Sequence, residues 1–329
     1  MKKSFIVGAV LSFSITSQSA IRPKKEFQIE NKIKPAVIAV IDTGLDVNHR
    51  EFKSLLWENP GESGVDAKGR DKKTNGIDDD DNGFVDDVHG WNFVDNSNDL
   101  SDAMGHGTHI AGIIAKQSDK SVLLGTPTKK TNSTARLMIL KYYDSRSGDS
   151  KNIENTIKAF EYAIQMKAQI INYSGGGSLP SKDEYQTLKL AEALNIIIVA
   201  AAGNNKMNTD LSRYYPANYN LKNILSVAAS DNSGDLVSFS NWGAKTVDLA
   251  APGSRIFSTL PDNKYGYMSG TSQATAYVTG KLTALLSENP NLTSAEIMQR
   301  LIQSAAHRKN LLGKTKYQVA LVGQENKEM

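Results

Sequence analysis

The 329-residue sequence contains no cysteine, so a cysteine nucleophile and a disulfide framework are both excluded. Its charges nearly balance, with 38 basic and 35 acidic side chains, and this indicates neither a nucleic acid nor a membrane surface as a partner. No apolar run reaches the roughly 18 residues that a membrane-spanning helix needs. The stability of such a chain has to come from core burial or from bound ions.

The first twenty residues are typical of a secretory signal. Lys2 and Lys3 form a basic start, an apolar stretch follows over 5–15, and small residues precede a cleavage point after Ser19 or Ala20. We therefore expect a secreted protein, extracellular or periplasmic, with no stable membrane association once the signal is removed. The alternative is an uncleaved N-terminal anchor.

Strands and helices alternate along most of the remaining chain. Short apolar runs predict buried strands at 36–41, 137–141, 170–173, 196–202 and 224–229. Apolar spacing predicts helices at 110–115, 152–167, 181–194, 271–286 and 293–304. Repeated strand–helix–strand units indicate a three-layer α/β fold, in which a mainly parallel sheet carries helices on both faces. Functional sites of such sheets lie at the carboxyl ends of the strands.

Three glycine-flanked segments carry an acid, a base and a hydroxyl in that order. They read Val40-Ile41-Asp42-Thr43-Gly44, Gly105-His106-Gly107-Thr108-His109 and Gly270-Thr271-Ser272-Gln273-Ala274. Asp42 closes a buried strand, where a carboxylate needs a hydrogen-bond partner such as an imidazole N–H. Ser272 lies in the first turn of a helix, where unpaired N–H groups stabilise a developing oxyanion. The order Asp, His, Ser predicts a serine hydrolase with Asp42 as orienting acid, His106 as base and Ser272 as nucleophile.

Each of these residues, taken singly, also has a structural explanation. Asp42 could cap the turn after its strand, and Ser272 could have no role beyond that of a helix N-cap. His106 and His109 share a helix face and could form a metal pair, although a third zinc ligand and a His-Glu-x-x-His pattern are missing. Asn204 follows an apolar strand, and its N–H₂ could stabilise the oxyanion beside the Ser272 N–H, but it could equally be a turn residue.

Together the segments resemble the Asp-Thr-Gly, His-Gly-Thr-His, Gly-Thr-Ser and Gly-Asn boxes of the subtilisin-like serine peptidases, in particular their secreted bacterial type. The likeness extends over about 36–305. The resemblance implies a serine endopeptidase that acts on protein or peptide substrates through an acyl-enzyme intermediate, with Asn204 and the Ser272 N–H as the oxyanion hole. It also implies a substrate-binding pocket walled by Ser174, Gly175, Gly176, Ala201, Ala202 and Gly203. The expected divisions are a signal peptide (1–20), a short N-terminal lead (21–35), the catalytic domain (36–310) and a C-terminal tail (311–329).

The chain departs from the family pattern in three ways. Gln273 follows the serine where relatives usually have Met, and Gly175 replaces a commoner Leu, which should loosen the selectivity of the pocket. Relatives usually carry a folding-assisting pro-domain before the first box, and only 21–35 stands there. Three readings stay open: the chain folds unaided, a folding helper takes the place of a pro-domain, or the protein is a non-proteolytic subtilase-fold binding or scaffolding protein.

Residues 59–98 form a polar insertion, rich in Gly, Asp and Asn, for which we expect a long loop with a functional or ion-binding role. With Asp78 as position 1, the spacing resembles the first part of an EF-hand loop and predicts calcium ligands at Asp78, Asp80, Asn82, Phe84 and Asp86. Position 12 is His89 instead of a bidentate glutamate, so another ligand or water would be required. The alternative is a solvated acidic loop, but close carboxylates repel one another without a counter-ion, which favours structural Ca²⁺.

Overall fold

The computed structural model describes, besides Met1, residues 35–119, 133–146 and 148–323. The chain separates into two units, Met1–Lys32 and Ile33–Met329, and the description below concerns the second. The predicted signal peptide and nearly all of the predicted lead therefore lie outside the described residues. Within those residues, no helix is both long and apolar enough to cross a membrane.

The described chain contains eleven strands. They are β1 (Ala36–Asp42), β2 (Gly90–Asn92), β3 (Ala135–Lys141), β4 (Ile170–Tyr173), β5 (Ile197–Ala201), β6 (Ile224–Ser230), β7 (Leu249–Pro252), β8 (Ile256–Leu260), β9 (Lys264–Met268), β10 (Ala306–His307) and β11 (Val319–Ala320). Nine of them form one sheet in the order β10-β11-β7-β6-β5-β4-β1-β3-β2, and β8 pairs with β9 in a separate hairpin. All neighbours in the large sheet are parallel except β10 and β11. The predicted mainly parallel sheet is confirmed.

Five α-helices cover this sheet in the described residues. They are α1 (His106–Gln117), α2 (Asp149–Gln165), α3 (Lys182–Ala193), α4 (Thr271–Glu288) and α5 (Ser294–Ser304), and short 3-10 helices lie at Lys72–Thr74 and Lys309–Leu311. The start of α5 has a sequence cause, since the Thr293 side chain and Glu296 cap it reciprocally. The insertion 59–98 is loop apart from one 3-10 turn and β2, a strand that the polar sequence did not predict.

Alternate residues of β1 belong to two separate cores. Ile38 and Val40 pack in a core with side chains of α1, α4 and α5, whereas Ala39 and Ile41 pack in a core with side chains of α2 and α3. This explains why the strand is a continuous apolar run, since a parallel strand covered on both faces needs apolar side chains at every position. The three-layer arrangement therefore follows from the sequence pattern.

The described part of the predicted C-terminal tail (311–323) contributes a strand and a buried side chain to the domain. Ala320 in β11 pairs with Ala250 in β7, and Leu311 is completely buried. The edge of a parallel sheet carries unpaired N–H and C=O groups, and β11 satisfies those of β7. A strand of two residues is too short to give a periodic signal, which is why the sequence did not predict it.

We expect Leu311→Ala to lower the free energy of unfolding by about 2–5 kcal/mol, since it removes a fully buried side chain and leaves a cavity. Urea denaturation measures this. The neighbouring Leu312 is 69% exposed and provides the matched control, for which Leu312→Ala should change stability by less than about 0.5 kcal/mol. Equal effects of the two substitutions would show that the tail does not belong to the domain.

Candidate active site

The pairing of Asp42 with His106 is the first feature of the site. Asp42 is the last residue of β1 and is buried, and His106 is the first residue of α1. His106 Nδ1 lies 2.6 Å from Asp42 Oδ1, and the Thr43 N–H donates to the same oxygen at 2.8 Å. Since the carboxylate accepts from Nδ1–H, the neutral imidazole carries its lone pair on Nε2, where a general base needs it.

Asp102, which the sequence analysis missed, organises the start of α1. The Asp102 carboxylate accepts backbone N–H bonds from Met104 (3.2 Å), Gly105 (2.9 Å) and Thr108 (2.8 Å), and a hydroxyl bond from Thr108 (2.7 Å). These donors belong to the free N-terminal end of the helix, whose N-cap residue Gly105 offers no side chain. The available signal was an aspartate placed just before a helix start.

Asp102 also ties α1 to β1. The Thr43 hydroxyl donates to Asp102 Oδ1 at 2.8 Å and accepts from the Gly107 N–H at 2.9 Å. At Gly107 the backbone of α1 approaches the Gly44 carbonyl so closely that any Cβ would collide with it. The glycines beside Asp42 and His106 therefore permit the contact that brings acid and base together.

The surroundings of His106 shift its pKa upward. Burial disfavours the imidazolium, but the charge of Asp42, its hydrogen bond and the charge of Asp102 outweigh this and raise the pKa of His106 above its ordinary 6.5. Only the neutral imidazole accepts a proton, so the base is lost as the pH falls through this raised pKa.

Ser272 lies in the first turn of α4, where backbone N–H groups lack helical partners. Its Oγ donates to the Ser174 carbonyl at 3.0 Å, and no hydrogen bond joins it to His106 in the described structure. Catalytic hydrogen bonds are often absent before substrate binds, so this geometry leaves the role of Ser272 intact.

Asn204 is held in a fixed orientation beside Ser272. Its Oδ1 accepts from the Thr271 N–H at 2.9 Å and from the Thr271 hydroxyl at 3.0 Å. Because the oxygen is anchored, the Nδ2 group is the part of the amide left to donate to a substrate oxygen. Since Thr271 directly precedes Ser272, these bonds hold the Asn204 amide one residue from Ser272.

The two predicted pocket segments lie side by side. The first segment, 174–176, follows β4, and the second, 201–203, begins at the last residue of β5. β4 and β5 are neighbours in the sheet. The Ser174 carbonyl contacts Ser272, and the Gly203 N–H donates to Thr271 Oγ1 at 3.2 Å. Both segments therefore flank the start of α4, where Ser272 lies.

Two tyrosine side chains lie close to Gly175. A Cβ at this position would collide with the Tyr142 hydroxyl and would also meet the ring of Tyr173. The two tyrosines occupy the volume that a leucine at this position would take. The wall at this position is therefore aromatic, and the loosened selectivity of the pocket stays a prediction.

The acidic insertion brings three carboxylates together. Glu62, Asp78 and Asp80 each offer an oxygen, and these oxygens lie within 4.8 Å of one another. Glu62 Oε2 is buried and has no hydrogen-bond partner among the described residues, and burial raises the pKa of Glu62 to about 7. An orphaned carboxylate oxygen beside two further carboxylates fits a hard divalent cation.

The predicted calcium ligands agree with this cluster only in part. Asp78 and Asp80 belong to it, but the Asp86 carboxylate accepts from the Gly76 N–H and lies outside it. Asn82 is also engaged elsewhere, since its amide donates to Asp87 (2.9 Å) and its Oδ1 accepts from the Phe84 N–H (2.8 Å). Glu62 was missed because it stands sixteen residues before Asp78, outside the EF-hand spacing.

Comparison with known proteins gives three findings. The model of the Subtilase family matches residues 34–323. The chain is 36% identical over 284 residues to the cell wall-associated protease of Bacillus subtilis (strain 168), covering 86% of this chain and 27% of that protein. It is 34% identical over 268 residues to the thermophilic serine proteinase of Bacillus sp. (strain AK1), covering 82% and 56%. The chain thus spans from about a quarter to just over half the length of these relatives.

A solved structure also matches. The crystal structure of a cold-adapted subtilisin-like serine proteinase superposes with a TM-score of 0.65 at 26% sequence identity, and the match covers 94% of this chain and 96% of that one.

Replacing Asp102 should disturb both His106 and the helix that carries it. In Asp102→Asn the pKa of His106 should fall, because a negative charge near the imidazole is lost. Unfolding free energy should fall by about 1–3 kcal/mol, since buried N–H donors lose an acceptor. NMR titration of the imidazole and urea denaturation measure the two effects.

The matched control is Asp99→Asn, which changes an exposed carboxylate three residues earlier and should leave both quantities nearly unchanged. A similar response of the two variants would contradict the role of Asp102 in positioning His106.

Proposed function

The chain belongs to the subtilase family, and from this premise we propose that it is a serine endopeptidase that hydrolyses peptide bonds through an acyl-enzyme intermediate. The observation that supports this most directly is the 2.6 Å contact between His106 and Asp42. It lies at the carboxyl ends of the parallel strands, where Asn204 follows β5 and contacts the start of the helix that carries Ser272. An acid, a base and a hydroxyl that follow in this chain order, with an amide donor beside the hydroxyl, are the groups that catalyse acyl transfer in serine peptidases.

In the proposed reaction, Ser272 Oγ attacks the carbonyl carbon of the scissile bond and His106 Nε2 takes the hydroxyl proton. Asp42 stabilises the imidazolium, while Asn204 Nδ2 and the Ser272 N–H hold the oxyanion. His106 then donates the proton to the departing amine, and the peptide bond breaks to leave the acyl group on Ser272. A water molecule, deprotonated by His106, attacks the ester, and the carboxylate product leaves as Ser272 regains its proton.

The alternative is a binding or scaffolding protein with the same fold. Within the described residues, Asp42 and His106 lie 2.6 Å apart, and the Ser272 hydroxyl makes a hydrogen bond to the Ser174 carbonyl at 3.0 Å. These observations favour the enzyme. Substrates would be proteins or peptides that lie extended between the segments 174–176 and 201–203.

We further propose that Glu62, Asp78 and Asp80 hold a structural Ca²⁺. The support is the convergence of three carboxylate oxygens and the buried, unpartnered Glu62 Oε2. The ion would neutralise this cluster and stabilise the long insertion, and no step of the hydrolysis involves it.

We also propose that the protein is exported. The support is the basic and apolar pattern of its first twenty residues. In addition, the chain is similar to a protease whose name associates it with the cell wall.

A fluorophosphonate probe should label the folded protein at Ser272 with a stoichiometry near one, since an activated serine attacks the phosphorus. Ser272→Ala should abolish labelling and lower kcat on a peptide substrate by about 10⁶-fold, the size known for a subtilisin. Intact-mass and peptide-mapping mass spectrometry identify the labelled residue. Ser304→Ala, on α5, is the control and should label normally. Folded wild-type protein that takes up no probe would support the scaffolding alternative instead.

Calcium should raise the melting temperature, and a chelator should remove the gain. At a calcium concentration a hundredfold above Kd, binding stabilises the folded state by about 2.7 kcal/mol. Glu62→Gln should abolish the difference between calcium-loaded and chelated protein. Asp81→Asn is the control, because Asp81 is exposed and outside the cluster and its positive φ of 55° suits asparagine. Differential scanning calorimetry that finds no chelator effect on the wild type would refute the site.

A further inference from the structure

A cavity of about 670 Å³ lies at the end of the segment that follows β4. Its lining is unusually aromatic, with four tyrosines at Tyr142, Tyr143, Tyr173 and Tyr215. Tyr142 packs against two of them, at centroid distances of 5.9 Å to Tyr143 and 5.4 Å to Tyr173. The cavity thus presents several ring faces and edges to whatever enters it.

One carboxylate lies in this aromatic wall. Glu184 is in the first turn of α3, only 2% of its surface is exposed, and it lines the cavity. No lysine, arginine or histidine is among the described lining residues. The neutral Tyr219 hydroxyl interacts with it while donating its proton to the Ser181 carbonyl at 2.9 Å, and burial raises the pKa of Glu184 to about 7. A carboxylate this deeply buried and without a cation is energetically costly in its charged form.

The cavity is within reach of a peptide bound at Ser272. Ser272 Oγ contacts the Ser174 carbonyl at 3.0 Å, and three residues further on Gly177 forms a backbone pair with Tyr215 (2.9 and 2.7 Å) beside the cavity. Three extended residues span about 10 Å. An extended peptide along this segment, with its scissile carbonyl at Ser272, would bring the side chain of its third or fourth residue before the cut to the cavity.

We propose that this cavity binds a lysine or arginine side chain of the peptide substrate, on the N-terminal side of the scissile bond, and that Glu184 selects it. The proposal rests on the proposed peptidase function of the same site. An ammonium or guanidinium group would pair with the carboxylate and contact the tyrosine rings, whose faces attract cations. The long apolar stem of either side chain would fill the rest of the aromatic cavity.

An aliphatic substrate side chain fits the same cavity less well. It would exclude water from Glu184 without supplying a charge, so the carboxyl group would have to bind a proton. A cation avoids this by stabilising the charged form. The discrimination should therefore depend on the charge of the substrate side chain more than on its length.

The experiment compares two internally quenched peptides that differ only in arginine or citrulline at the third or fourth position before the cut. Citrulline keeps the length and planarity of arginine and removes its charge. We expect kcat/KM to favour arginine by about tenfold or more in the wild type, and Glu184→Gln to bring the ratio close to one. Asp183→Asn, which removes an exposed charge from the neighbouring position on α3, should keep the wild-type ratio.

A pH series provides a test that needs no variant. The other titratable groups facing Glu184 are tyrosines, Tyr173 and Tyr219, whose pKa values burial raises further above 10, so they stay neutral. Glu184 loses its proton as the pH rises through about 7, so the preference for arginine should grow between pH 5 and pH 9.

Two kinds of failure can be told apart by labelling the same preparation with fluorophosphonate. An enzyme that labels at Ser272 and cleaves the two peptides equally, at every pH, overturns the assignment of Glu184 and leaves the peptidase function in place. A folded protein that neither labels nor cleaves overturns both. If Glu184→Gln fails to fold, the arginine–citrulline ratio of the wild type and its pH dependence still decide the matter.

Discussion

The hydrogen bond from His106 Nδ1 to Asp42 Oδ1 is the contact on which the rest of the site depends, and it joins two elements that are far apart in the chain. It can form only because the end of β1 and the start of α1 are held together. Asp102 holds these two ends together. Its carboxylate accepts five hydrogen bonds from the surrounding backbone and hydroxyl groups, including the Thr43 hydroxyl. The Asp42–His106 pair is therefore positioned by a second buried carboxylate, Asp102.

The order of the parallel strands brings the other site residues close to Asp42. β1, β4 and β5 are parallel and are consecutive neighbours in the sheet, so their carboxyl ends lie side by side. Asp42, Ser174 and Asn204 lie at or just after these ends. α4 packs against the same strands and brings Ser272 to these ends with its free N–H groups. Each functional group thus sits on a rigid element or directly after one, which keeps the geometry without help from long loops.

The sequence predicted the elements whose signal is local. The apolar runs located β1, β3, β4, β5 and β6 but not the other six described strands, and the glycine-flanked boxes pointed to Asp42, His106 and Ser272. Contacts between distant segments left no such signal. Asp102 looked like an ordinary loop aspartate, Glu62 stood outside the spacing that found Asp78 and Asp80, and β11 was too short for a periodic pattern. At Gly175 the sequence indicated a missing side chain, but only the fold places Tyr142 and Tyr173 in the vacated space.

Four buried carboxylates differ in what balances their charge, and the difference separates structural roles from ligand-binding ones. Asp102 is satisfied by five donors and Asp42 by an imidazole and a backbone N–H, so neither requires anything from outside the protein. In the described part of the chain, Glu62 has one oxygen without a hydrogen-bond partner, and the group that interacts with the Glu184 carboxylate is the neutral Tyr219 hydroxyl. Burying a carboxylate without a compensating cation is unfavourable. Among the described residues, Glu62 and Glu184 are the two positions at which we propose that a cation, from solution or from a substrate, balances the buried charge.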